Sequence, residues 1–186
     1  HSSASVSGSS CPPSKALVVG VMMARIMGVR DEAVLDRASD LGLAFQLTNI
    51  ARDVTDDAMA GRVYLPADLM AAHGVTREQL AERRHTPGFT ALMREMVAIT
   101  RRRYDDAAPG TPMLAPESRD CVRAATDLYG GILGEIERAD YRVLDGRVSV
   151  SKPRRLAVFA RRLTAAQLAR VRVTMAQPKS RSSTGA

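Results

Sequence analysis

Residues 46–57 read "QLTNIARDVTDD", and the fold turns on how this stretch is placed. At 100° per residue Gln46, Asn49, Asp53 and Asp57 fall in one arc of a helix, because intervals of three and four each complete about one turn. Leu43, Leu47, Ile50 and Val54 fall in the adjoining arc, so the polar row runs along the margin of the face turned to the core. Such a row faces a cavity rather than open water. Buried carboxylates need cations or hydrogen bonds to offset their desolvation. A hard divalent cation such as Mg2+ meets that need, with one or two carboxylates completed by water and phosphate oxygens. Asp53 and Asp57 would offer carboxylates, Asn49 a carbonyl oxygen, and Arg52 a planar fork for phosphate. A lone D-x-x-x-D pattern would read as a solvated acidic face. Here a mid-helix Asn and three aspartates at the wrong end of the helix dipole all cost local stability, and function is the common cause of such conflict.

Outward from this stretch the chain reads as helices. Leu, Ala, Met, Arg and Glu dominate its 186 residues, with three Phe, four Tyr and no Trp, and strand-like alternation is scarce. The expectation is one all-α bundle with an aliphatic core. Residues 1–15, "HSSASVSGSSCPPSK", read as a disordered or foreign leader, 16–175 as the helical domain and 176–186 as a disordered basic tail. A short apolar helix is expected over 17–29. Asp31 caps a long helix over 32–60, and a short helix follows the connector "GRVYLP". Thr76 with Gln79 makes a capping box for 77–84. Two longer helices follow over 89–107 and 117–141, separated by "PGTP", and Ser151 caps a last one. Met22, Met23, Met27, Met93 and Met96 read as gap-filling core. His73 and His85 carry no assigned role.

The formal charge of +7, from 27 basic and 20 acidic residues, favours anionic partners. No nucleic-acid module accompanies it and aromatics for base stacking are few, so no nucleic-acid partner is expected. Cys11 and Cys121 lie in unrelated contexts and suggest neither a disulfide framework nor a metal knuckle. The longest apolar run, residues 16–24, falls short of the ~20 residues that span a bilayer. A cytoplasmic protein, with peripheral contact at the inner face of an anionic membrane, is the expectation.

The stretch "LGLAFQLTNIARDVTDDAMAGRVYLP" closely resembles the second aspartate-rich motif of the squalene and phytoene synthase family. "GVMMARIMGV" before it and "LYGGILGEIERADYRVLDGRVSVSKPRRL" after it resemble the same family, the latter its phytoene branch. The resemblance implies an isoprenoid synthase-type helical bundle, incomplete at its N-terminal side, whose cavity holds two prenyl diphosphates. It implies head-to-head condensation of two geranylgeranyl diphosphates to phytoene, in carotenoid biosynthesis. Squalene or dehydrosqualene synthesis is the enzymatic alternative, and a non-catalytic diphosphate-binding or interaction protein the other. By the same resemblance the metal positions fall on Asn49, Asp53 and Asp57, and Arg52, Asp53 and Asp57 carry the catalytic role. Substrate positions fall on Gln46, Arg52, Tyr129, Tyr64 and Arg147. Mg2+ is the implied cofactor, with Mn2+ as its substitute and no need of NADPH. The family's first aspartate-rich motif has no counterpart in the sequence, so the expectation is a chain that is inactive or nearly so by itself.

Overall fold

The computed structural model describes residues 13–146, and every regular element among them is helical. Helix α1 spans Pro13–Ile26, α2 Glu32–Met59, α3 Ala67–Ala72, α4 Arg77–Ala81, α5 Pro87–Ala107 and α6 Pro116–Arg138. A 3-10 segment, Ala108–Met113, joins α5 to α6, and a second, Val143–Asp145, follows α6. The leader up to residue 12, the helix after Ser151, the basic tail and Arg147 lie outside the described residues.

Local chemistry sets these boundaries. Proline in the first turn costs α1 no hydrogen bond, so the helix begins at Pro13, four residues before the sequence expectation. The Asp31 carboxylate accepts from the Ala33 amide at 2.9 Å and opens α2. Gly61, with φ of 71°, turns the chain away at its end. Thr76 and Gln79 form the expected capping box, although α4 runs only from 77 to 81. The residues "PGTP" do not break the chain outright but tighten it into the 3-10 segment.

Helix α2 is the axis of the bundle and touches α1, α4, α5, α6 and both 3-10 segments. Val34 and Leu35 are buried in its first turn, and farther along Ala44, Thr48, Ala51, Val54 and Thr55 are buried, with Leu47 and Ile50 packed at the edge of the core. The buried face is therefore centred about one residue round from the expected leucine and isoleucine arc. Small side chains let neighbouring helices approach closely, which the larger ones would prevent. Below α2 the core is built from Phe89, Leu92, Met93, Met96, Leu133 and Ile136, all essentially inaccessible. Arg101 on α5 grips Glu137 on α6 through two hydrogen bonds at 3.1 and 2.6 Å.

The methionine expectation divides. Met93 and Met96 are fully buried, whereas Met22 and Met23 are 56% and 48% exposed. With Val18, Val19 and Ile26 they form an apolar face on α1 that is left exposed among the described residues. The opposite side of α1 lies against α2 so closely that a Cβ on Gly20 would stand 2.1 Å from the Ala38 carbonyl oxygen. Gly20→Ala should lower stability by about 1–3 kcal/mol in urea unfolding through forced separation of the two helices. Gly130→Ala, where a Cβ would meet nothing within 4 Å, should change stability by no more than ~1 kcal/mol.

Candidate active site

The polar row lies across α2 from the seam of Ala44, Thr48, Ala51 and Thr55, because three- and four-residue steps keep each set on its own side of the helix. Gln46 and Asn49 line a cavity of about 440 Å³ that is otherwise almost wholly apolar, walled by Met23, Leu41, Phe45, Leu114 and Val122 among others. Asp53 and Asp57 follow one and two turns beyond Asn49, with side chains 22% and 18% exposed. The row thus runs from the cavity lining onto a half-buried surface. It brings together Gln46, Asn49, Arg52, Asp53 and Asp57.

The carboxylates do not stand bare. Arg52 donates from Nε to one oxygen of Asp53 at 2.8 Å and from Nη2 to the other, a fork-to-fork pair between adjacent residues. This pairing raises the Arg52 pKa, against a smaller lowering by desolvation, and Tyr129 is close enough to add to the rise. Asp57 meets Arg62 at 3.5 Å, a longer and more exposed contact. Tyr64 joins Asp57 and Arg62 at a shallow crevice, so the structure brings it to the acidic end of the row.

Tyr129, on α6, packs at the edge of the core with its ring 4.6 Å from that of Phe45 and tilted by 38°. Phe45 also meets Tyr104 edge-on at 6.0 Å. The Thr48 hydroxyl donates to the Ala44 carbonyl at 2.8 Å, which leaves its oxygen to accept from Tyr104 at 2.9 Å. Sequence reading missed Tyr104, Thr48 and Phe45. Their only signal was helical spacing, "FQLT" on α2 facing the tyrosine of "RRRYDD" on α5, and spacing within one helix does not show which residue of another it meets. Arg62 was also missed, hidden in a connector.

Three acidic, histidine or cysteine groups are nowhere close enough to hold a metal ion by themselves among the described residues. Asp53, Asp57 and the amide oxygen of Asn49 are nonetheless hard oxygen donors on one strip of helix. Mg2+ characteristically takes one or two carboxylates and fills its remaining positions with water and phosphate. The donor set fits that mode, as one wall of a site.

This helical bundle, with its polar row bordering an apolar cavity, shares the isoprenoid synthase-type fold of the solved structures it resembles. Residues 15–154 match the squalene/phytoene synthase family, and the chain belongs to this family of prenyltransferase-type enzymes. It is similar to 15-cis-phytoene synthase from Enterobacter agglomerans, 46% identical over 142 residues that cover 76% of this chain and 48% of that protein. Phytoene synthase 2 from Solanum lycopersicum is 40% identical over 144 residues, covering 74% and 46%. Among solved structures, a dehydrosqualene synthase in complex with ligand superposes with a TM-score of 0.65 at 26% identity, over 75% of this chain and 49% of that one. Squalene synthase from Alicyclobacillus acidocaldarius, at 22% identity and a TM-score of 0.64 over 67% and 48%, shares the fold. The chain spans about half the length of the relatives it matches.

Burial pushes the Tyr104 phenol well above the ordinary tyrosine value, with Thr48 pulling more weakly the other way. The folded chain holds that proton more tightly than the unfolded chain does. The resulting stability is intact below the ordinary pKa of about 10 and is lost as pH rises beyond it. Tyr104→Phe should cost about 1 kcal/mol at neutral pH. Above pH ~10 its urea midpoint should fall less steeply than the parent's, since the buried phenol no longer titrates.

Proposed function

We propose that this chain contributes the second aspartate-rich wall of a phytoene synthase-type active site, in carotenoid synthesis. One observation carries the reading: the row of Gln46, Asn49, Asp53 and Asp57 leads out of an apolar cavity, matching a substrate with a diphosphate head and a prenyl tail. The relatives at 38–46% identity are phytoene synthases, which favours geranylgeranyl diphosphate over the shorter substrate of a squalene route.

In this reading Asn49, Asp53 and Asp57 hold Mg2+, or Mn2+ in its place, and the ion when bound offsets negative charge on the diphosphate. Arg52 turns its fork from Asp53 toward phosphate oxygens as the head arrives, and Gln46 orients the head by hydrogen bonding. Tyr129 and Phe45, packed ring to ring, bring aromatic π-density to this part of the bundle, which would stabilise a developing allylic cation. The apolar walls keep water from that cation. The first substrate loses diphosphate and its allylic carbon alkylates the double bond of the second, which sheds a proton to give a cyclopropylcarbinyl diphosphate. Loss of the second diphosphate, rearrangement and loss of a further proton yield phytoene, with no reductant consumed. NADPH has no part in this balance.

The described carboxylates form one wall, so turnover by this chain alone should lie below detection while head-group binding persists. Calorimetry with pyrophosphate and Mg2+ should show binding that weakens by roughly tenfold or more in the Asp53→Ala, Asp57→Ala double variant. Equal binding by the parent and the double variant would overturn the reading. Phytoene formed from geranylgeranyl diphosphate and Mg2+ by the purified chain would overturn the inactivity.

Among the described residues no helix is long and apolar enough to cross a membrane. The charge of +7 and an apolar product favour peripheral contact with an anionic bilayer. Sedimentation with anionic liposomes should capture the chain at low salt and release it as salt rises.

A further inference from the structure

A second cavity, of about 220 Å³, is lined by residues of α2, α5, α6 and the 3-10 segment Ala108–Met113. It shares a wall with the first, made by Leu41, Ala107 and Thr111, but its chemistry differs. Arg123 and Asp127, one turn apart on α6, bring both signs of charge to its lining, together with Thr126 and Tyr104. Ala108, Pro112 and the shared Leu41 and Ala107 supply apolar surface. The Arg123 guanidinium is 3.9 Å from Asp120, close enough for ion pairing and too far for a hydrogen bond, so its donors remain available. Thr126 donates its hydroxyl proton to the Val122 carbonyl at 2.9 Å, which leaves its oxygen as an acceptor. With the Thr48 proton on the Ala44 carbonyl, Tyr104 gives its own proton to Thr48, and the phenol oxygen is an acceptor too. The cavity thus offers one planar cationic fork with a carboxylate and neutral acceptors beside it.

We propose that this second cavity binds a free α-amino acid with an aliphatic side chain. Asp127 disfavours a plain anion and Arg123 a plain cation, while a wholly apolar guest would strip water from both charges and replace none of it. A small zwitterion meets every group: its carboxylate takes the Arg123 fork, its ammonium takes Asp127 and the hydroxyl oxygens, and its aliphatic remainder lies against Leu41 and Pro112. At about 30 Å³ per water of liquid, the space corresponds to roughly seven waters, the scale of a ligand with about eight to ten non-hydrogen atoms. The site shares no residue with the polar row of α2 and stands independently of the diphosphate reading. Its shared wall places the amino acid one layer of side chains from the larger cavity.

The experiment is ligand-observed NMR, with saturation transferred from the whole chain to leucine in the absence of Mg2+ and diphosphate. Leucine should bind with a Kd on the order of 1 mM or tighter. The amine 3-methylbutylamine and the acid 4-methylpentanoate each lack one of its charges and should bind roughly tenfold more weakly or worse, because the opposite charge in the cavity is left unpaired. Glycine, with both charges and no side chain, should be weaker by a similar factor. Arg123→Gln and Asp127→Asn should each remove the leucine signal, with circular dichroism matching the parent's. Unaltered leucine binding in both variants overturns the site. Equal binding of leucine and either single-charge analogue by the parent overturns it as well, with no variant needed. So does the absence of a leucine signal up to roughly 20 mM. Tighter binding of phosphoethanolamine than of leucine overturns the amino acid as the occupant and assigns the cavity to a lipid head group.

Discussion

The small seam of α2 is the constraint on which the rest of the molecule depends. Ala44, Thr48, Ala51 and Thr55 recur at intervals of four, three and four, and all are buried. Their size lets the surrounding helices close on the α2 backbone, and the two hydroxyls turn proximity into register. Thr48 accepts from Tyr104 of α5, and Thr55 donates to the carbonyl of Val143 beyond α6. Because the polar row lies across α2 from the seam, turning the helix by about half a revolution would bring its amides and carboxylates into the core. The price of that error, several unsatisfied polar groups, is what keeps Gln46, Asn49, Asp53 and Asp57 turned away from the core.

With its rotation fixed, α2 sorts chemistry along its length. Apart from Arg37, apolar and small residues line the cavity over its first half, amides follow, and then an arginine and carboxylates. This order conflicts with what favours an isolated helix. No basic residue occupies the last turn, where the dipole would welcome one, and Asp56 and Asp57 stand there instead. The Arg52–Asp53 fork and the looser Arg62–Asp57 contact relieve part of the conflict.

Most helix positions were legible because their signals are local. Asp31, Thr76 and Gly61 act through the backbone groups next to them, and the structure keeps all three. The polar row was legible for a similar reason, since three- and four-residue spacing on one helix determines a shared side. Its membership in one family followed from the same residues. What the sequence hid were meetings between helices. Phe45 between two tyrosines, Thr48 against Tyr104, and Arg37 on Gly110 each join residues at least 56 positions apart, which a wheel drawn for one helix does not pair. The methionines show the same boundary: Met22 and Met96 look alike in sequence, yet one is 56% exposed and the other has no accessible surface.

The uncovered side of α1 has a consequence for how the chain behaves in solution. Val18, Val19, Met22, Met23 and Ile26 make a continuous oily strip on a molecule whose formal charge is +7. Long-range repulsion keeps such molecules apart in dilute buffer, and added electrolyte shortens its reach to about a nanometre or less. Contacts between strips then become accessible and, being apolar, strengthen rather than weaken in salting-out conditions. Ionic strength should therefore act on this chain as a switch for colloidal self-adhesion, in the direction opposite to its effect on binding an anionic surface.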